Sequence, residues 1–180
     1  MKTGVIVTGL PASGKTTLAR TLAKTLGFAF LDKDDFLEDL YDQFEVRTWE
    51  DRTRLSRQSD QLFQDAARRS SSAVLVSHWR PLNSPDDSGT PSDWVVDDYD
   101  RLVEVCCICA PDVALARFLA RSRHPDHQDD QRDVPDLKKR MCAWENRFPI
   151  GVGSLIKVEA DSAVDTDAVR CSIQTVLAGT

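Results

Sequence analysis

Apolar positions in this chain recur with two periods, one after the other. Gly4 to Thr8 is a short β-branched run, which predicts a buried strand. From Lys15 to Leu26 the period changes: Leu18, Ala19, Leu22, Ala23 and Leu26 fall on one helical face, and Gly27 is placed to end the helix. Phe28 to Leu31 predicts a second strand, closed by Asp32-Lys33-Asp34-Asp35. Helices are expected over Phe36 to Phe44 and Glu50 to Arg69, the latter with Leu55, Leu62, Phe63 and Ala66 on one side. Strands follow at Ala73 to Ser77, Leu102 to Cys109 and Leu155 to Val158, and helices at Asp112 to Arg123, Pro135 to Asn146 and Thr166 to Leu177. Asn83 to Asp93, rich in Pro, Ser, Asp and Gly, predicts a loop, and Trp94 to Tyr99 fits either period.

Strands that alternate with helices imply an α/β fold: a parallel five-stranded sheet covered on both faces, in three layers, joined by right-handed crossovers. No repeat or linker divides the chain, so residues 1–180 are expected to form a single domain. A hydrophobic content of 41% suits a packed core. The formal net charge of -6 disfavours tight binding to long nucleic acid, which needs a basic face. No stretch approaches the roughly 20 apolar residues of a membrane span, and the first strand begins too early for a signal peptide. The five cysteines are read as reduced thiols of a cytoplasmic protein, with Cys106 and Cys109 as core residues of a strand.

Chemistry enters at Gly9-Leu10-Pro11-Ala12-Ser13-Gly14-Lys15-Thr16, the pattern G-x-x-x-x-G-K-[ST] between a predicted strand and a predicted helix. Its glycines permit close backbone approach, its N–H groups form an anion nest, and the helix N-terminus adds positive potential. Lys15 is expected to reach the β- and γ-phosphates of ATP, and the Thr16 hydroxyl to ligate Mg²⁺; Thr17 extends the binding segment. Asp32 and Asp34, two apart at a strand end, can face one site. Asp34 is the candidate general base for an acceptor hydroxyl, Asp32 the candidate metal partner, and Asp35 the candidate helix cap. Arg117 and Arg121, four apart on one predicted helix, are candidates for the nucleotide and for the charge that develops during transfer. His124 and His127 are read as surface residues.

The segments GLPASGKTT, Leu31-Asp32-Lys33-Asp34 and Arg117-Phe118-Leu119-Ala120-Arg121 together resemble the P-loop small-molecule and nucleoside kinases, such as shikimate, gluconate and adenylate kinases, chloramphenicol phosphotransferase and polynucleotide kinase domains. The resemblance implies a P-loop NTPase fold. It gives the first acid of D-x-D to the metal and the second to the substrate hydroxyl. It lets Arg117 stack on adenine and Arg121 approach phosphates, and it makes a mobile lid of roughly residues 123–135. The chain departs from shikimate kinases after the third predicted strand, where Val76-Ser77-His78-Trp79-Arg80 replaces a glycine cluster.

The expected activity is an ATP-dependent phosphotransferase acting on a hydroxyl of a small molecule. The alternatives are a 5′-hydroxyl kinase of a nucleoside or oligonucleotide and, in another class, a nucleotide switch or hydrolase. Catalysis falls to Lys15, Asp34 and Arg121, and acceptor contact to Asp34, Arg54, Arg57, Trp79 and Arg80.

Overall fold

A computed structural model describes residues 1–85 and 88–179. Asp86 and Asp87 of the predicted 83–93 loop lie outside the described residues. Five parallel strands make one sheet in the order β2-β3-β1-β4-β5. They are β1 (Thr3–Gly9), β2 (Ala29–Asp32), β3 (Ser72–Val76), β4 (Arg101–Ile108) and β5 (Ser154–Glu159). The helices are α1 (Lys15–Leu26), α2 (Lys33–Gln43), α3 (Trp49–Arg69), α4 (Asp93–Asp98), α5 (Pro111–Ala120), α6 (Val134–Glu145) and α7 (Thr166–Ala178). The ambiguous Trp94 segment is thus a short helix, with Trp94 and Val95 buried.

Alternation along the strands decides the layers. Val5 and Val7 of β1, Val74 and Val76 of β3, and Val103, Val105 and Cys107 of β4 pack on one face against Leu18 and Leu22 of α1, Leu115 and Phe118 of α5, Met141 of α6 and Ile173 of α7. Ile6, Ala73 and Leu75, one residue out of phase, pack on the other face against Phe63 and Ala67 of α3, Trp94 and Trp79. Both faces are covered, as a parallel sheet requires. Cys106, Cys107 and Cys109 are free thiols buried in this interior.

One buried carboxylate holds the frame. Glu104, in the middle of β4, accepts the Thr8 hydroxyl (2.8 Å) and the backbone N–H groups of Ile150, Gly151 and Val152 (2.8, 3.0 and 3.2 Å). A buried anion is tolerable when its oxygens are filled in this way. It ties the segment before β5 to the sheet, beside the end of β1 where the glycine loop begins.

Candidate active site

The glycine loop takes its shape from two positions. Gly9 ends β1 at φ +133°, and a Cβ there would stand 2.5 Å from the Cys107 carbonyl oxygen. Gly14 caps α1 at φ +93° with open space around the position of a Cβ and with no side-chain hydrogen bond to the cap. The first N–H groups of a helix have no acceptor within it; here no cap side chain covers them. Pro11, Ala12, Gly14, Lys15, Thr16 and Thr17 line a cleft of about 1070 Å³, while Leu10 and Ser13 are buried beneath it. Lys15 Nζ donates to the Leu10 carbonyl oxygen at 2.6 Å, folded back across its own loop. Burial lowers its pKa, and the nearby Arg121 acts in the same direction, against Asp32 and Asp34.

β2 ends at Asp32, and α2 starts at the next residue. Asp32, not Asp35, is the cap of α2: its Oδ1 accepts from the Asp34 N–H at 3.1 Å. The expectation for Asp35 is therefore corrected, because the strand-to-helix switch comes three residues earlier than the apolar pattern suggests. Asp34 lies in the first helical turn, yet it lines the same cleft as Asp32. The other Asp32 oxygen accepts from Thr16 Oγ1 at 2.8 Å, so the two residues expected at the metal are already in contact.

The two carboxylates titrate in opposite directions. Burial, then the charge of Asp34, raises Asp32 to about 6, against the hydrogen bonds from Thr16 and the Asp34 N–H. For Asp34, burial also acts upward, but Arg123, His127, Lys33 and Arg121 outweigh it and its pKa lies below the ordinary value. Environments that drive two acids apart are a common way of dividing roles between them.

Residues after α5 close the cleft. The helix ends at Ala120, so Arg121 is an extended residue beyond it and does not share a helical face with Arg117, as the spacing alone suggested. Both nevertheless line the cleft. Arg117 donates to the carbonyl oxygens of Ala160 and Asp161, each at 2.7 Å, which fixes α5 to the loop after β5. Arg121 lies over the Phe118 ring, 4.2 Å from its centroid, and its Nη2 is 3.5 Å from Asp129 Oδ2. Burial, then Arg123, lowers its pKa to about 10.

Residues 124–133 contain two 3₁₀ turns, Pro125–His127 and Asp129–Gln131, docked on α2. His127, expected at the surface, is buried, with Nε2 2.9 Å from Glu38 Oε1. His124 Nε2 is 3.3 Å from Asp42. Arg123 makes two bonds of 2.9 Å to Asp129 and a third, of 2.8 Å, to Asp34 Oδ2. Sequence reasoning missed this partner of the proposed base, because the two residues are 89 positions apart.

At the far end of the cleft two expectations need correcting. Trp79 is fully buried between Phe63 and Trp94 and does not line the cleft. Arg54 lies outside the cleft as well, on a shallow outer depression, 3.5 Å from Asp51. The helical period explains this: Arg52, Ser56, Asp60 and Gln64 share the inner face of α3, and Arg54 is half a turn away. Arg57 and Arg80 do line the cleft, the latter with Nη2 3.2 Å from the Gly89 carbonyl oxygen. Lys33 pairs with Asp60 at 3.0 Å, and Asp60 also accepts the Thr90 hydroxyl at 2.8 Å. His78 lies in the cleft wall against Trp144, ring centroids 4.8 Å apart.

Residues 5–138 match the AAA domain family, and the chain belongs to that family. The fold is that of the P-loop kinases. A protein from Chloroflexus aurantiacus, assigned as a kinase, aligns with 22% identity over 99% of this chain and 97% of its own, TM-score 0.69. Shikimate kinase from Bacteroides thetaiotaomicron aligns with 19% identity over 97% and 98%, TM-score 0.59. A sugar kinase from Janibacter sp. HTCC2649 aligns with 18% identity over 98% and 95%, TM-score 0.57. A comparison with curated proteins finds no match. Among the described residues, no helix is long and apolar enough to cross a membrane.

Proposed function

We propose that this chain is an ATP-dependent phosphotransferase that moves the γ-phosphate to a hydroxyl of a small molecule. The observation that carries the reading is one cleft that joins the glycine loop, the Asp32–Asp34 pair and the Arg117–Arg121–Arg123 series.

The residues fit a polyphosphate and a hard cation. Gly14 leaves the start of α1 free of a side-chain cap, and Thr16 and Asp32 present oxygens 2.8 Å apart. Thr16 and Asp32 would hold Mg²⁺, which when bound neutralises charge on the β- and γ-phosphates. Pro11 to Thr17 would cradle the phosphates. Arg117 and the loop after β5 would flank the base.

Lys15 turns from the Leu10 carbonyl to the phosphates and stabilises the charge that builds on them. Arg121 adds a second cation at the same place. Asp34, held ionised by its cationic neighbours, orients the acceptor hydroxyl and takes its proton. A weakly basic carboxylate suffices, because a loose phosphoryl transition state asks for little proton transfer until late. Residues 123–135 act as a lid that excludes water.

The test is ADP formation with ATP, Mg²⁺ and pooled alcohols, sugars, antibiotics and nucleosides, using the wild type and Lys15→Ala. Acceptor-dependent turnover is expected, with the variant slower by on the order of 10²–10³ and folded as before. Near wild-type turnover in the variant would sink the assignment.

A further inference from the structure

His78 stands at the exit of β3, in the wall of the cleft, on the side of Asp60 and Thr90. Its carbonyl oxygen accepts from the Thr90 N–H at 2.8 Å, which fixes its backbone. Its ring is set edge-on to Trp144, with Phe148 on the same side, ring centroids 6.4 Å away. Both ring nitrogens are buried, and neither has a hydrogen-bond partner among the described residues. A buried polar ring left unmatched by the fold costs stability that a phenyl ring would not. The fold leaves both nitrogens unmatched, and the residue borders the cleft, where a bound molecule packed against the ring would supply the missing partner.

The charge around the ring narrows what that can be. Burial, then the charges of Lys15, Arg147 and Lys33, opposed by Asp34, lower the His78 pKa to about 3. The imidazole is neutral throughout the physiological range. A neutral imidazole offers one N–H and one lone pair, a match for a hydroxyl, which gives and takes a hydrogen bond. It gives no ionic attraction to a carboxylate or phosphate. The adjacent groups are also matched internally: Asp60 is shared by Lys33 and Thr90, and the Thr90 and Ser77 hydroxyls touch at 2.5 Å. Asp34, the proposed base, belongs to the proton-accepting position and is engaged with Arg123.

We propose that His78 is a specificity residue of the acceptor site, which binds a second hydroxyl of the acceptor beside the one that takes the phosphate, so that the acceptor is a polyhydroxylated compound. The proposal rests on the phosphotransferase reading above and deepens it. It makes His78 a binding group and gives it no part in the proton transfer.

The test compares the wild type with His78→Phe and His78→Gln. Phenylalanine keeps the contact with Trp144 and removes both nitrogens. Glutamine keeps one donor and one acceptor. The acceptors are ribitol, D-sorbitol, myo-inositol and D-gluconate, against the single-hydroxyl compounds 1-butanol, cyclohexanol and lactate, with ADP formation as the readout. Polyols are expected to be the better acceptors. In His78→Phe the KM for the favoured polyol rises on the order of 5–100-fold, the range for a buried hydroxyl left without its partner, and His78→Gln recovers part of it. The affinity for a non-hydrolysable ATP analogue stays unchanged in both variants. The unfolding temperature of His78→Phe is at least that of the wild type, since no internal hydrogen bond is lost.

An unchanged acceptor KM in His78→Phe overturns the inference, as does equal turnover of single-hydroxyl acceptors. A clearly lower unfolding temperature also overturns it, because the nitrogens would then have a partner within the fold. Each of these results leaves the phosphotransferase reading standing. Absence of ADP formation with every acceptor, in the wild type, would overturn both.

Discussion

The two ends of the cleft are held together by different kinds of contact. At the glycine loop the partners are neighbours in sequence: Lys15 and Leu10 are 5 positions apart, Thr16 and Asp32 are 16. At the other end they are distant: Asp34 and Arg123, like Glu38 and His127, are 89 apart. Short-range partners are set by one strand–loop–helix unit that is itself packed into the sheet through Val5, Val7, Leu18 and Leu22. Long-range partners exist only while residues 123–133 stay docked on α2. The first end is thereby preorganised, and the second depends on contacts that undocking of residues 123–133 would break. The proposed phosphoryl transfer would use both: a rigid electrostatic cradle, and a gate that admits the acceptor and then excludes water.

The sharpest way to break this comparison is at the residue where the two ends meet. Asp34→Asn keeps size and some hydrogen bonding but cannot take a proton. Affinity for an ATP analogue should hardly change, because Lys15 and Thr16 are untouched, while turnover falls by roughly 10²–10⁴. Single-turnover kinetics beside equilibrium binding would separate the two. If affinity collapses with the rate, the ends are not independent and Asp34 belongs to the cradle.

The proposed gate is probed next. Arg123→Gln removes charge-assisted bonds to both Asp34 and Asp129, bonds worth about 1.5–3 kcal/mol in general. Amides of residues 124–133 should exchange on the order of ten times faster in the ligand-free protein, while those of α1 stay as they were. A non-hydrolysable ATP analogue should restore part of the protection. Equal exchange in the variant and the wild type would mean that the segment is held by its own turns and by α2, and is no gate.

The same division explains what the sequence reveals and what it hides. The glycine loop is legible because its glycines, Lys15 and Thr16 follow one another within a single short segment, although the Cys107 carbonyl that bars a Cβ at Gly9 comes from β4. The layers are legible because Val5, Ile6 and Val7 alternate as a strand covered on both faces must. Trp79 is misread for want of parity: in the extended stretch after β3, His78 and Arg80 face the cleft, so Trp79 between them faces the core. Arg54 is misread for want of the helical period, which groups Arg52, Ser56 and Asp60 without it. Arg123 leaves no local trace. Nothing near it in sequence names Asp34 as a partner; only the docking of residues 123–133 on α2 does. Glu104 did leave a signal, a lone acid in an apolar strand, and its role as the anchor of residues 150–152 follows once the strand is known to be central.

The smallest expected effect concerns Asp32, which connects the cradle to the cap of α2. Its pKa in the folded protein is about 6, above the ordinary 3.8, because it is buried and stands near Asp34. Between these values the folded state binds more protons than the unfolded state, so this group's contribution to stability falls as pH rises from about 4 to about 6. At pH 7 the ionised carboxylate is a net cost in the metal-free protein. Asp32→Asn removes that charge and keeps one oxygen, which can still cap α2, while its amide N–H can donate to the Thr16 hydroxyl in place of the bond that Thr16 donates to Asp32. Without metal, the variant should therefore be more stable than the wild type at pH 7, by up to about 3 kcal/mol, and the advantage should shrink to nothing below about pH 4. Addition of Mg²⁺ with an ATP analogue should reverse the order, since a ligand that binds only the folded state stabilises the protein that binds it better. Thermal unfolding of both proteins across this pH range, with and without Mg²⁺ and the analogue, reads all of this in one series. A variant that is less stable at pH 7 without metal would show that the cap and the Thr16 bond outweigh the buried charge. If Mg²⁺ and the analogue stabilise both proteins equally, Asp32 belongs to the frame of the cleft and not to the metal.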